Sequence, residues 1–442
     1  MSVIKRLQRL TGESPRETPD RSEESEASCL SIAALRKRID MIMARRSGSR
    51  SPSVKPSEQR SLSLNGVIPG DDCANNAGVC FVQESPVDAG ARHGHRRVGD
   101  FAGVSMEAAA FLANDASLAG YRLEEGLFLD TETTGLAGGT GTMAFLIGLG
   151  WFDRGRFIVR QIFARDFTEE RAALTHLAQI VGDRRFLVSF NGKTFDVGLL
   201  STRYIMNRLQ SPFTDMPHLD LLYPARRLIA HRLENCRLST IETQVLGLIR
   251  RNDVPGADIP QRYFDWLRGG NARLLEDVFE HNRLDIISLA ALMGHLAALT
   301  QGRAEAAPAD ARDLLAVARL YAERRQVSQA QNLLSSLAQS HAPSLRMASM
   351  KMLSLLFKRT GRWEDAVDLW QKIIRDDPEN RFALIELAKW YEHRAHDHAT
   401  ALNLVGRALR QAGGCTAAAE REALLHRRQR LQRRQADHAP EK

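Results

Sequence analysis

The stretch Leu127-Phe128-Leu129-Asp130-Thr131-Glu132-Thr133-Thr134-Gly135-Leu136 sets two carboxylates inside an apolar run that reads as a strand. Side chains two apart on a strand share a face, so Asp130 and Glu132 point the same way. Carboxylates so placed repel and desolvate each other unless a cation sits between them. A second acidic residue follows in Ser189-Phe190-Asn191-Gly192-Lys193-Thr194-Phe195-Asp196, where a strand ends in a Gly turn and a helix opens. Taken alone, Asp196 is explained as well by helix capping and the helix dipole. The third element is a helix from about 273 to 299, whose stripe Leu274, Val278, His281, Asp285, Leu289, Leu292 is apolar except at His281 and Asp285. An ionised Asp on a core stripe needs a compensating cation, either a buried Arg or a metal ion, and the metal is the more economical answer.

The elements that must position these residues follow from the patterning. From about 77 to 300, short β-rich apolar runs alternate with longer helical stretches, the texture of an α/β domain. Strands are expected at 127–131, 144–151, 156–163 and 186–190. Asp153-Arg154-Gly155 forms a hairpin between the second and third. Helices are expected at 169–181, 195–209, 238–246 and 273–299. Three strands, a helix, a strand and a helix is the ribonuclease H-like order.

In combination, D-x-E-T-T-G-L, N-G-K-x-F-D and H-N-x-x-D resemble the DEDD exonuclease superfamily, and more closely the YprB-type ribonuclease H-like family, over about residues 78 to 299. The resemblance implies an α/β fold with a mixed sheet flanked by helices and an enzyme of the 3′–5′ exonuclease type. It also implies that Asp130, Glu132, Asp196 and Asp285 are the metal-binding carboxylates, with His281 in the place of the general base. Three residues separate His281 from Asp285, the interval of superfamily members with Tyr at this position, whereas His-type members have four. Thr133, Gly135 and Leu136 occupy the turn that contacts the last nucleotide in such exonucleases. Simple packing of Leu136 beneath the strand end is an equal alternative.

Physical reasoning runs beside the resemblance. Four carboxylates facing one point recruit two divalent ions, which can hold the attacking and leaving oxygens of a phosphodiester. All-oxygen ligation suits Mg²⁺ or Mn²⁺. Asn191 and Lys193 are candidates to meet a phosphate, as is Arg203, which seven residues after Asp196 returns to the same helix face. His218 and Asp220 receive no role. The run Arg226, Arg227, Arg232 and Arg237 either tracks a nucleic-acid backbone or is a solvated face.

With 43% hydrophobic and 26% charged residues, the 442-residue chain is not wholly disordered or fibrous. Its net charge of +8 comes from 52 Arg and nine Lys against 53 acidic residues. That permits a nucleic-acid partner without requiring one. Five scattered cysteines without a C-x-x-C pair argue against a disulfide framework and a structural zinc site. No signal-peptide stretch follows Met1, and the apolar run 143–152 is too short to span a bilayer. The expectation is therefore a cytoplasmic protein without a membrane partner.

Residues 1–76 read as a mostly disordered tail with one short basic helix around Ile32 to Ile42. After a linker, residues 308–412 read as tetratricopeptide-like helical repeats that recruit a protein partner. Aligning Ala330, Ala366 and Ala401 superposes Ala318, Ser354 and Ala388, and also Tyr321, Phe357 and Tyr391. Residues 413–442 read as an Arg-rich capping helix and tail. A binding scaffold that does not cut, and an endonuclease acting at structured sites, stand beside the exonuclease reading.

Overall fold

In the computed structural model, the residues described are 64, 66–135, 141–301, 310–410 and 418–437, all within one compact unit. The basic helix expected around Ile32, the greater part of the linker and Leu136 lie outside the described residues. The chain opens with strands β1 (Asp71–Asn75) and β2 (Gly78–Val87), a short ribbon β3 (Arg92–His93) and β4 (Arg96–Arg97), and helix α1 (Met106–Ala113). The sheet therefore begins ahead of residue 77. These first strands were hard to foresee because β1 is an edge strand with exposed, polar residues and little apolar alternation.

Strands β5 (Gly126–Thr133), β6 (Ala144–Asp153) and β7 (Arg156–Phe163) follow as antiparallel neighbours. The last two are joined at Arg154-Gly155, both with positive φ, as a tight hairpin requires. Helix α2 (Glu170–Gly182), β8 (Phe186–Ser189), α3 (Asp196–Met206), β9 (His218–Asp220) and α4 (Leu222–Leu228) complete the sheet, with β8 parallel to β5 and β9 parallel to β8. The order β1-β2-β7-β6-β5-β8-β9 is the mixed sheet flanked by helices that the sequence predicts.

Helix α5 (Leu238–Ile241) runs into a π turn at Glu242–Leu246, and α6 (Ile259–Gly269) leads into the 28-residue α7 (Arg273–Thr300). By length and composition α7 is apolar enough to cross a membrane, a longer apolar stretch than residues 143–152. In this fold its C-terminal half, Ile286 to Thr300, is buried in the protein core.

Alternation along β5 divides the two cores. Leu127 and Leu129 face the layer with α2, α3 and α6, while Phe128 faces the core formed with α1, α4 and most of α7. Asp130 and Glu132 continue the Phe128 face.

The C-terminal region is all-helical: α8 (Ala311–Glu323), α9 (Val327–Leu337), α10 (Pro343–Arg359), α11 (Trp363–Asp376), α12 (Arg381–Trp390), α13 (His398–Arg410) and α14 (Ala418–Asp437), each packed on its neighbours in sequence. The small residues aligned in the repeat, Ala318, Ser354, Ala388, Ala330, Ala366 and Ala401, are all fully buried where paired helices approach.

The repeats do not hang free of the α/β domain. Val317 and Leu320 of α8 belong to its core, and Tyr321 Oη donates to Thr300 O at 2.5 Å. The basic run supplies part of this joint, since Arg227 pairs with Glu323 at 2.7 Å and Arg232 with the fully buried Asp313 at 2.8 Å. Arg232 is thereby committed to the protein itself, whereas the Arg227 pair lies at the surface and Arg226 and Arg237 are exposed. Removing one partner of a buried pair strands the other charge, at about 3–5 kcal/mol. His231, 3.2 Å from Asp313, softens the loss, so Arg232→Ala should cost about 3 kcal/mol, the low end of that range. A urea midpoint unchanged from wild type would show that the joint carries no stability.

Candidate metal centre

Asp130 and Glu132 stand at the carboxyl end of β5, beside its parallel neighbour β8. Asp196 arrives from the turn after β8 and accepts a hydrogen bond from Thr131 Oγ1 at 2.5 Å. Helix α7 lays His281 and Asp285 against the same point: His281 Nε2 is 3.4 Å from Asp285 Oδ2 and 4.0 Å from Glu132 Oε1. Glu132, His281 and Asp285 each bring a ligand atom within 4.8 Å of the others. Side-chain exposures of 12% for Glu132 and 15% for His281 and Asp285 leave a rim that solvent and substrate can reach.

Electrostatics mark the cluster as short of positive charge. Burial first, and then the charges of Asp285 and Asp196, push the Asp130 and Glu132 carboxyls well above the ordinary range. Burial raises Asp196 to about 6, against the pull of the Thr131 hydroxyl. The Asp130 carboxylate takes its hydrogen bond from the neutral Asn282 amide at 3.0 Å. A crowded, all-oxygen donor set with neutral hydrogen-bond partners fits a hard divalent cation.

Asp285 is a different case. Arg250 Nη2 bonds both Asp285 and the buried Glu242, so the compensating Arg that a purely structural reading requires is present. The fit to a metal therefore rests on Asp130, Glu132 and Asp196 more than on Asp285. In its first half the expected α7 stripe is turned: up to Ile286 the buried residues are Leu275, Val278, Phe279, Asn282 and Ile286, Leu274 is half-buried, and His281 and Asp285 lie at the edge, while Leu289 and Leu292 further along are buried as expected. This rotation is what opens them toward the strand end.

Among the remaining candidates, Asn191 and Lys193 offer backbone amides, both donated to the buried Asp220 at 2.7 and 3.1 Å. Asp220 also accepts from Leu222 N at 3.1 Å, so this residue, given no role from sequence, holds the turn that delivers Asp196. Asn191 adopts a left-handed φ of 65°, and a side chain at Gly192 would collide with Ser189. Thr133 Oγ1 donates to Gly135 O at 2.8 Å, fixing the turn after the strand. Arg203 is not at the site, because it is bound bidentately to Glu170 at 2.5 and 2.6 Å and ties α3 to α2.

Sequence reasoning missed Asn282, Arg250, Glu242 and Asp253. Asn282 is fully buried and accepts from Gln161 Nε2 at 2.9 Å while donating to Asp130. Its signal was in β6: a side chain at Gly148, opposite Asp130, would fall on the Asn282 amide. Glycine inside an apolar strand marks such a close approach.

Residues 127–297 match the RNase H superfamily. The uncharacterized protein YprB of Bacillus subtilis (strain 168) is 32% identical over 360 residues, which cover 80% of this chain and 86% of that protein.

Proposed function

We propose that this chain, which belongs to the YprB family and carries an RNase H superfamily domain, is a metal-dependent nuclease that hydrolyses phosphodiester bonds as a 3′–5′ exonuclease. The observation that carries the reading is the crowding of carboxylates from three elements: Asp130 and Glu132 both feel the charges of Asp196 and Asp285, and Glu132, His281 and Asp285 bring ligand atoms within 4.8 Å of one another. A module that only bound nucleic acid would gain nothing from carboxylates that repel phosphate. These four would hold two Mg²⁺ or Mn²⁺ ions, which when bound supply Lewis-acid stabilisation of charge developing on the phosphodiester oxygens.

The chain's own groups do the rest. His281 Nε2, facing the carboxylates, takes the proton of the attacking water. Asn282 orients Asp130, and the turn held by the Thr133 to Gly135 hydrogen bond is read as the stop for the substrate end. The helical repeats are read as tetratricopeptide-like and as the recruiting surface for a protein partner, and the protein as cytoplasmic.

The test is to incubate the full chain with end-labelled single- and double-stranded DNA and RNA in Mg²⁺, Mn²⁺ or EDTA. A free 3′ end should be shortened one nucleotide at a time with metal and untouched in EDTA, while covalently closed circular strands resist. Degradation of circles at a comparable rate would replace the exonuclease reading with an endonuclease. Absence of any metal-dependent cutting would sink the nuclease reading.

A further inference from the structure

Two residues compete for one nitrogen of His281. Asp253 Oδ1 lies 2.8 Å from Nδ1, and Arg250 Nη1 lies 3.4 Å from the same atom. They demand opposite tautomers. A carboxylate only accepts, so it needs the proton on Nδ1 and leaves Nε2 with its lone pair; a guanidinium only donates, so it needs a bare Nδ1 and puts the proton on Nε2. At 2.8 against 3.4 Å the carboxylate makes the stronger bond. Nε2 is then the ring nitrogen turned to the cluster, toward Asp285 Oδ2 and Glu132 Oε1.

We propose that Asp253 is the positioning residue of His281, holding the ring in the tautomer whose Nε2 can take a proton at the carboxylate cluster. The role rests on the nuclease reading above. The surroundings are built to keep Asp253 there. Its second oxygen is 3.3 Å from Arg250 Nη1, and Arg250 is itself fixed by Glu242 and Asp285. Glu242 accepts in turn from Ser288, whose hydroxyl lies 2.8 Å from His93 Nε2.

The loop carrying both residues is pinned at each end. Gly247, at φ 68°, lies so close to the His95 ring that no side chain fits there, and Val254 is buried in the core. Asn252, at φ 56°, makes the turn that sets Asp253 against His281. The one-turn interval between His281 and Asp285 keeps both on one helix face, which puts the ring within reach of this loop.

The experiment uses the full chain with ¹⁵N-labelled histidine. In Mg²⁺ at mildly alkaline pH, the ring spectrum of His281 should show the proton on Nδ1 in wild type. In Asp253→Ala, with Arg250 left as the partner of Nδ1, it should move to Nε2. In the same variant kcat should fall about 10²-fold or more while KM stays within about twofold. Asp253→Glu, which restores an acceptor, should recover part of the rate. Melting temperatures check folding, and Asp253→Ser, whose hydroxyl is too short to reach Nδ1, repeats the test if the Ala variant does not fold.

An unmoved tautomer, or an unchanged kcat in a protein whose wild type cuts, overturns the proposal. An inactive wild type would instead remove the nuclease reading, and the ring spectrum would still decide whether Asp253 sets the tautomer.

Discussion

Asp130→Asn should abolish hydrolysis and raise the melting temperature of the metal-free protein. The two outcomes share a cause. Asp130 is buried among Asp285, Asp196 and Glu132, and each of those charges raises its carboxyl further. An amide of the same shape removes one of the crowded charges. On the proposed nuclease reading it would also remove a ligand of ions that supply several kcal/mol to the transition state, and at 1.36 kcal/mol per factor of ten this is a loss of about 10³-fold or more.

The pH dependence follows from the sign of the shifts. A carboxyl whose folded pKa is raised binds its proton more tightly in the folded state, so stability is present at low pH and is lost as pH rises through the folded value. For Asp196 the window runs from the ordinary 3.8 to about 6, and Asp130 and Glu132 shift in the same direction. Metal-free wild type should melt at lower temperature as pH climbs through this window, Asp130→Asn should lose less, and Mn²⁺ should restore most of the difference at neutral pH. Asp285→Asn should behave differently, because its carboxylate is paired with Arg250 and the amide leaves that guanidinium with Glu242 and Asp253. Scanning calorimetry with and without Mn²⁺ reads all three proteins. Full nuclease activity in Asp130→Asn would end the assignment of the metal centre.

How far this centre could be read from sequence depended on how local each signal was. Asp130 and Glu132 were legible because strand alternation is a two-residue rule and the run around them is apolar. Asp196 was legible as a helix-opening residue only in company. Asp220, which grips the turn before it, gave no local sign, since its partners Asn191 and Lys193 are 27 to 29 residues earlier and donate through their backbone. Arg250 and Asp253 were out of reach for a related reason: they sit in a polar loop, and their importance comes from contacts 28 to 35 residues away on α7.

Arg203 failed in the opposite sense. Its spacing from Asp196 did return it to one side of α3, but Glu170 of another helix holds it there. Charge pairing across elements overrode a correct periodicity. The fold was more legible than the site because β6, β7 and α7 are long and periodic, whereas the edge strand β1 is short and half polar.

His281→Ala should lose about 10²–10⁴-fold in rate, the usual span for general acid–base catalysis, with Mn²⁺ affinity nearly unchanged. The ring lies 3.4 Å from Asp285 and 4.0 Å from Glu132, near enough to serve a water held between them. Asp130, Glu132 and Asp196 keep their own oxygens in the variant. The limb of the rate–pH profile that reports the base should therefore flatten, while calorimetric metal binding stays. A packing role predicts the reverse: the rate and profile of wild type, with a lower melting temperature from the lost contact to Asp253.

The double variant sharpens the distinction. If Asp253 acts through His281, then adding Asp253→Ala to His281→Ala costs nothing further in kcat, since residues that work as a unit are not additive. A second full loss in the double variant would mean that Asp253 serves the site by another route, for instance through Arg250, 3.3 Å away, and that the histidine is not its object.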